Sequence, residues 1–172
     1  MKNVVLENID KKIGAANVVA LLVEKRLVFS TAESLTGGLL TSKFVEVPGV
    51  SDVLYEGIVS YSNGSKQSRL GVEENTIKVY GAVSAETAAE MASCLLKNAD
   101  IGISTTGIAG PSGGTDRKPV GLTYIALADG REIYVSKQIF SGNRQEIREK
   151  AANYAISMLF LYLKGNIETA II

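Results

Sequence analysis

Apolar positions along this chain switch between helical spacing and short unbroken runs. Over 10–25, Ile13, Ala16, Val19, Ala20 and Val23 recur at three- and four-residue steps, the pattern of a helix with one inward face. Positions 27–32 form a short apolar run, read as a buried strand, and 34–46 read as a helix that begins at the pair Gly37 and Gly38. A second strand is expected over 53–60. A short helix follows over 63–70, stopped by Gly71, and one or two helical turns over 73–79. Ser84 is placed to cap a long helix running to about Asn98. After a buried strand over 101–106 comes a Gly-rich loop, 107–119. Positions 120–128 and 132–140 read as a hairpin joined at Asp129-Gly130, and 144–164 as a final helix. Its inward side is expected to carry Ile147, Ala151, Tyr154, Ala155, Met158 and Leu159. Alternating helices and strands with one hairpin predict a three-layer α/β/α fold. Its sheet would be mixed and mainly parallel, with a C-terminal antiparallel hairpin.

Composition narrows this picture without changing it. At 172 residues the chain is expected to form a single domain over 1–172. A chain of that size buries about 70% of its unfolded surface and needs no metal or disulfide to fold. Eighteen basic residues balance eighteen acidic ones, which argues against a nucleic-acid surface while leaving room for a local anion pocket. There is no histidine and only one cysteine, Cys94, so a conventional zinc site is all but excluded and no metal or cofactor is expected. The first residues carry charge throughout, without a signal-peptide core, and no apolar stretch has the length of a membrane span. The expectation is a cytoplasmic protein with no membrane partner.

Three loops carry candidate chemistry, each after an expected strand: 33–38 (ESLTGG), 61–66 (YSNGSK) and 105–114 (TTGIAGPSGG). Ligands of open α/β sheets collect beyond the carboxyl ends of strands. Ser34 fits two roles there, helix N-cap or nucleophile. Gly37 and Gly38 leave room for a substrate, and the amides of Thr36 to Gly38 are candidate oxyanion donors. With no imidazole in the chain, Lys66 is the leading proton acceptor, provided burial populates its neutral amine; otherwise it is a solvated helix lysine. Tyr61 could relay the proton or fix the geometry. The loop bearing Gly110, Gly113 and Gly114 reads either as an anion cradle or as a mobile surface loop. Arg144, at a helix start where the dipole disfavours a cation, fits an anion contact or a structural ion pair. Cys94 reads as core, and Asp116, Arg117 and Lys118 as a solvated loop tip. The face over 85–96 serves equally as internal core or as the contact of a homodimer.

Taken together, the stretches TAESLTGG, EGIVSYSNGSKQSRLGV, YGAVSAETAAEMA, TTGIAGPSGG with KPVG, and NRQEIREKA resemble the C-terminal domain of the competence/damage-inducible CinA family. That domain also occurs alone as a nicotinamide-nucleotide amidohydrolase. The resemblance implies hydrolysis of nicotinamide mononucleotide to nicotinic acid mononucleotide and ammonia, a step of pyridine nucleotide salvage. It implies Ser34 as nucleophile supported by Tyr61 and Lys66, Thr106 as a site hydroxyl, and Arg144 as the family's arginine. Asn143 stands where the family usually has aspartate. The molybdopterin-binding-like domain of longer relatives has no counterpart in this sequence. The competing expectation is a non-catalytic nucleotide-binding or protein-interaction module.

Overall fold

The computed structural model describes residues 1–6 and 13–167. A mixed sheet runs through it, built from β1 (Lys2–Asn3), β2 (Phe29–Glu33), β3 (Leu54–Val59), β4 (Ile101–Gly107), β5 (Leu122–Ala128) and β6 (Ile133–Ile139). The spatial order is β1-β6-β5-β4-β2-β3. Neighbours β2–β3, β2–β4 and β1–β6 are parallel. The β5–β6 hairpin is antiparallel, and β5 also pairs antiparallel with β4. The helices are α1 (Ala15–Lys25), α2 (Leu39–Val45), α3 (Asn63–Leu70), α4 (Glu74–Tyr80), α5 (Ala85–Ser93) and α6 (Arg144–Leu163).

Each face of the sheet has its own helical layer. On one side α1, α2 and α6 bury Val18, Leu22, Phe44, Met158 and Leu159 against Phe29, Ile103 and Leu127. The rings of Phe29 and Phe44 meet edge to face, with centroids 4.7 Å apart. On the other side, Leu70 of α3 and Met91 of α5 pack with Ala32 of β2, and Ala88 and Ala92 of α5 cover Ala126 and Ala128. α5 lies close because Gly102 of β4 has no side chain; a Cβ there would run into the Ala92 carbonyl.

The expected elements are present, and their edges differ for identifiable reasons. α3 spans its expected residues, capped by the Ser62 hydroxyl and ended by left-handed Gly71. α1 begins at Ala15, after Ile13, and positions 10–12 of the expected helix lie outside the described residues. Its buried face is Val18, Val19 and Leu22, while Ala16, Ala20 and Val23 are exposed. The helix expected over 34–46 does not start at Ser34. Gly37 and Gly38 sit at φ 59° and 93°, a left-handed path that cannot open a right-handed helix, and α2 starts only at Leu39. α5 gives way at Cys94 to a tighter turn, Cys94–Lys97, and Cys94 is half-buried there. The hairpin connection is four residues, 129–132, because the Asp129 carboxylate accepts from the N–H groups of both Arg131 and Glu132. β1, two residues long, is a strand that the pattern of apolar positions does not signal. Among the described residues, no helix is long and apolar enough to cross a membrane.

Candidate active site

Strand parity determines which groups β2 sends to each side. Thr31 bonds Thr41 of α2 at 2.6 Å, and Glu33 turns toward the same helix. Ala32 faces the α3 layer. Ser34, the next position of that parity, therefore leaves the strand on the α3 side. Its N–H still pairs with Thr105 O at 2.9 Å, so β4 fixes the position of its backbone.

Glu33 is fully buried and its carboxylate is saturated. It accepts from the N–H groups of Gly38 (2.9 Å), Leu40 (3.0 Å) and Thr41 (2.8 Å), and from the Thr41 hydroxyl (2.6 Å). The Gly38 N–H expected to stabilise an oxyanion is thereby committed to Glu33. An acidic residue inside an otherwise buried run was the available signal, since such a group must find donors.

Lys66 enters from the second turn of α3, and the residue is 1% exposed. Its Nζ donates to Ser34 Oγ at 2.9 Å and Ser60 O at 2.9 Å, with Tyr61 O at 3.4 Å. All three acceptors are neutral. Burial therefore acts without a compensating carboxylate and lowers the amine from 10.5 to about 8. A serine hydroxyl touching an amine that is partly neutral near pH 7 can be deprotonated without imidazole.

Around this pair lies a cleft of about 270 Å³. Of the expected residues, Ser34, Tyr61, Lys66, Thr106, Gly110, Gly113 and Arg144 line it. Thr36, Gly37, Gly38 and Gly114 stand outside the lining: the Thr36 hydroxyl is buried against Thr105 Oγ1 at 2.7 Å, and Gly114 backs onto Val120. The Tyr61 hydroxyl is not poised between Ser34 and Lys66. It accepts from Arg144 Nη2 at 2.8 Å, while Arg144 Nη1 donates to Gly110 O at 2.7 Å. That guanidinium thus ties the loop before α3 to the Gly-rich loop. The Thr106 hydroxyl donates to Ala82 O at 2.7 Å and fixes a wall of the cleft.

Asn63, Ile108 and Ser112, members of the candidate loops 61–66 and 105–114 that were not individually expected at the site, also line the cleft, as do Ala82 and Val83. Lys118, expected to be solvated, donates through Nζ to Tyr80 O (2.8 Å) and Val83 O (2.7 Å), strapping the Gly-rich loop to the Ala82–Val83 wall. The carbonyls at the end of α4 attract the ammonium. Asn143 is the N-cap of α6, accepting from Gln145 and Glu146 N–H, with Glu146 reaching back to the Asn143 N–H. An amide oxygen fills this position as well as a carboxylate does.

A family model described as the CinA C-terminal domain matches residues 11–163. A competence-damage inducible protein of a Thermoanaerobacter species is 50% identical over 150 residues, which cover 86% of this chain and 36% of that protein. A CinA-like protein of Kosmotoga olearia is 53% identical over 144 residues, covering 83% of this chain and 35% of the relative. The chain thus spans about a third of the length of the curated relatives it matches. Among solved structures, the competence/damage inducible protein CihA of Agrobacterium tumefaciens superposes with a TM-score of 0.84 at 36% identity, covering 87% of this chain and 93% of that one. A CinA superfamily protein of Escherichia coli gives a TM-score of 0.84 at 29% identity, covering 91% and 95%.

Proposed function

The chain belongs to the CinA C-terminal domain family, and we propose that it hydrolyses the carboxamide of nicotinamide mononucleotide by a Ser–Lys mechanism. One observation carries this reading: the buried amine of Lys66 is 2.9 Å from the hydroxyl of Ser34, at the wall of a cleft. The neutral amine takes the Ser34 proton as Oγ attacks the amide carbon, and the carbonyl electron pair moves onto oxygen. The tetrahedral intermediate expels its nitrogen, which receives the proton back from Lys66 and leaves as ammonia. Water, activated by the same amine, then cleaves the acyl-serine ester and frees nicotinic acid mononucleotide. A cleft near the lower end of the ~300–1,000 Å³ range for small-molecule sites suits a mononucleotide better than a polymer. Arg144 spends two N–H donors on Gly110 and Tyr61, and its fork has others to offer a 5′-phosphate beside the loop carrying Gly110 and Gly113.

The test is ammonia release from nicotinamide mononucleotide, with the acid nucleotide identified by mass. Ser34→Ala should lower the rate by ~10³-fold or more. Undiminished release by that variant sinks the nucleophile. Wild-type protein whose melting temperature rises with the nucleotide, but which frees no ammonia, is a binding module instead.

A further inference from the structure

The Gly-rich loop between β4 and β5 brings Gly110, Ser112 and Gly113 to the cleft, yet residues 111–117 are exposed. Between Ala109 and Lys118, the hydrogen bonds from the loop to the rest of the described residues are made by two cations. Arg144 Nη1 donates to Gly110 O at 2.7 Å, and Lys118 Nζ donates to Tyr80 O at 2.8 Å and to Val83 O at 2.7 Å. The wall that receives Lys118 is shaped around its ammonium. Every carbonyl from Tyr80 to Val83 meets a side-chain donor. Gly81 O takes the Ser84 and Thr87 hydroxyls, each at 2.9 Å, and Ala82 O takes the Thr106 hydroxyl at 2.7 Å, so Tyr80 O and Val83 O are left to Lys118. Between them, Gly81 has no side chain; a Cβ there would stand 2.9 Å from Lys118 Nζ. Ala82 and Val83 line the same cleft. Lys118 thus joins two parts of the cleft lining without lining the cleft itself.

We propose that Lys118 is a positioning residue that sets substrate affinity: its ammonium holds the Gly-rich loop against the 80–83 wall, so that Gly110, Ser112 and Gly113 already stand in the cleft when the nucleotide arrives. The inference rests on the nucleotide reading of the site. Arg144 is the weaker tie in that role, because a phosphate competes with Gly110 O for its donors. Without Lys118 the loop opens, substrate binds only the closed fraction, and apparent affinity falls by that fraction. The reacting pair is independent of the strap. Ser34 and Lys66 bond each other, Thr105 O, Ser60 O and Tyr61 O, none of which belongs to the 107–119 loop or to the 80–83 wall.

Lys118→Met keeps the stem and removes the donors. Its KM for nicotinamide mononucleotide should rise about tenfold or more, with kcat within about twofold of wild type. In the free protein, the amides of 109–118 should exchange with deuterium about tenfold faster or more, and saturating nucleotide should narrow that difference. A fluorophosphonate reads Ser34 separately: Oγ bonds phosphorus, fluoride leaves with its bonding pair, and the hydroxyl proton passes to Lys66. Labelling of the variant should stay within about twofold of wild type. Lys118→Gln, shorter and uncharged, carries the test by the same readouts if Lys118→Met fails to fold. A KM within about twofold of wild type overturns the assignment, even where Tm falls, because the strap is then structural only. Unchanged loop exchange overturns it too, as does a loss that appears in kcat and in labelling rather than in KM. Wild-type protein that binds the nucleotide but frees no ammonia removes only the hydrolysis, and the dissociation constant then replaces KM. Wild-type protein that does not bind the nucleotide removes both proposals.

Discussion

The Lys66 amine gives the sharpest prediction, because its protonation reads out in rate and in stability. With the folded amine at about 8, roughly a tenth of it is neutral at about pH 7, half at about pH 8 and nine-tenths at about pH 9. Ammonia release measured as kcat/KM should therefore climb about tenfold between about pH 7 and about pH 9 and then level off. Stability follows the same proton. The folded value lies below the unfolded 10.5, so between them the unfolded chain holds a proton that the folded chain has released. The wild type therefore gains stability as pH rises through that window, and below about 8 it carries the full cost of a buried ammonium, up to about 3 kcal/mol. Lys66→Met removes the titration but also strips donors from Ser34 and Ser60, so its net stability at one pH decides nothing. The pH dependence of the difference does. Relative to wild type, the variant should lose about 2 kcal/mol of its standing between about pH 6.5 and about pH 9.5, read by urea denaturation. A constant difference, together with a flat rate profile, would falsify the neutral-amine mechanism.

Two further outcomes probe the rest of the site. Arg144→Gln should raise KM for nicotinamide mononucleotide about 10- to 100-fold while barely changing that for nicotinamide riboside, which lacks the phosphate; equal effects on both would assign the arginine to structure alone. Asn143→Ala should lower Tm by about 2–4 °C, the cost of one N-cap in a domain of this size, whereas Asn143→Asp should hold or raise it; calorimetry distinguishes the two.

What could be read from the sequence followed from local rules. α3 was legible over 63–70 with its stop at Gly71, and the structure adds the Ser62 hydroxyl as its cap. The α/β layering was legible because buried apolar runs alternated with helical spacing, and the hairpin because two such runs flanked Asp129-Gly130. α2 starts later than the sequence suggests because Gly37-Gly38 reads as a helix opening, whereas two left-handed residues make a turn that postpones it. β1 was invisible because two residues have no period; only its pairing with Tyr134 and Val135 defines it.

The site divides along the same line. Residue types nominated Ser34 and Lys66, but their meeting depends on the alternation of β2. Glu33 faces α2 and Ser34 faces α3, so a one-residue slip of that strand would put a carboxylate where the Ser34 hydroxyl meets Lys66. The supporting cations were hidden for a different reason. Lys118 and Arg148 act on main-chain carbonyls far away in sequence, and a carbonyl has no residue identity for a motif to record. The same holds for Arg144, whose residue type suggested an anion but not its tie to Tyr61 and Gly110. Side chains that bond side chains leave paired traces in a sequence. Side chains that bond backbone leave one trace, and it looks like an ordinary surface charge until the fold brings the carbonyl to it.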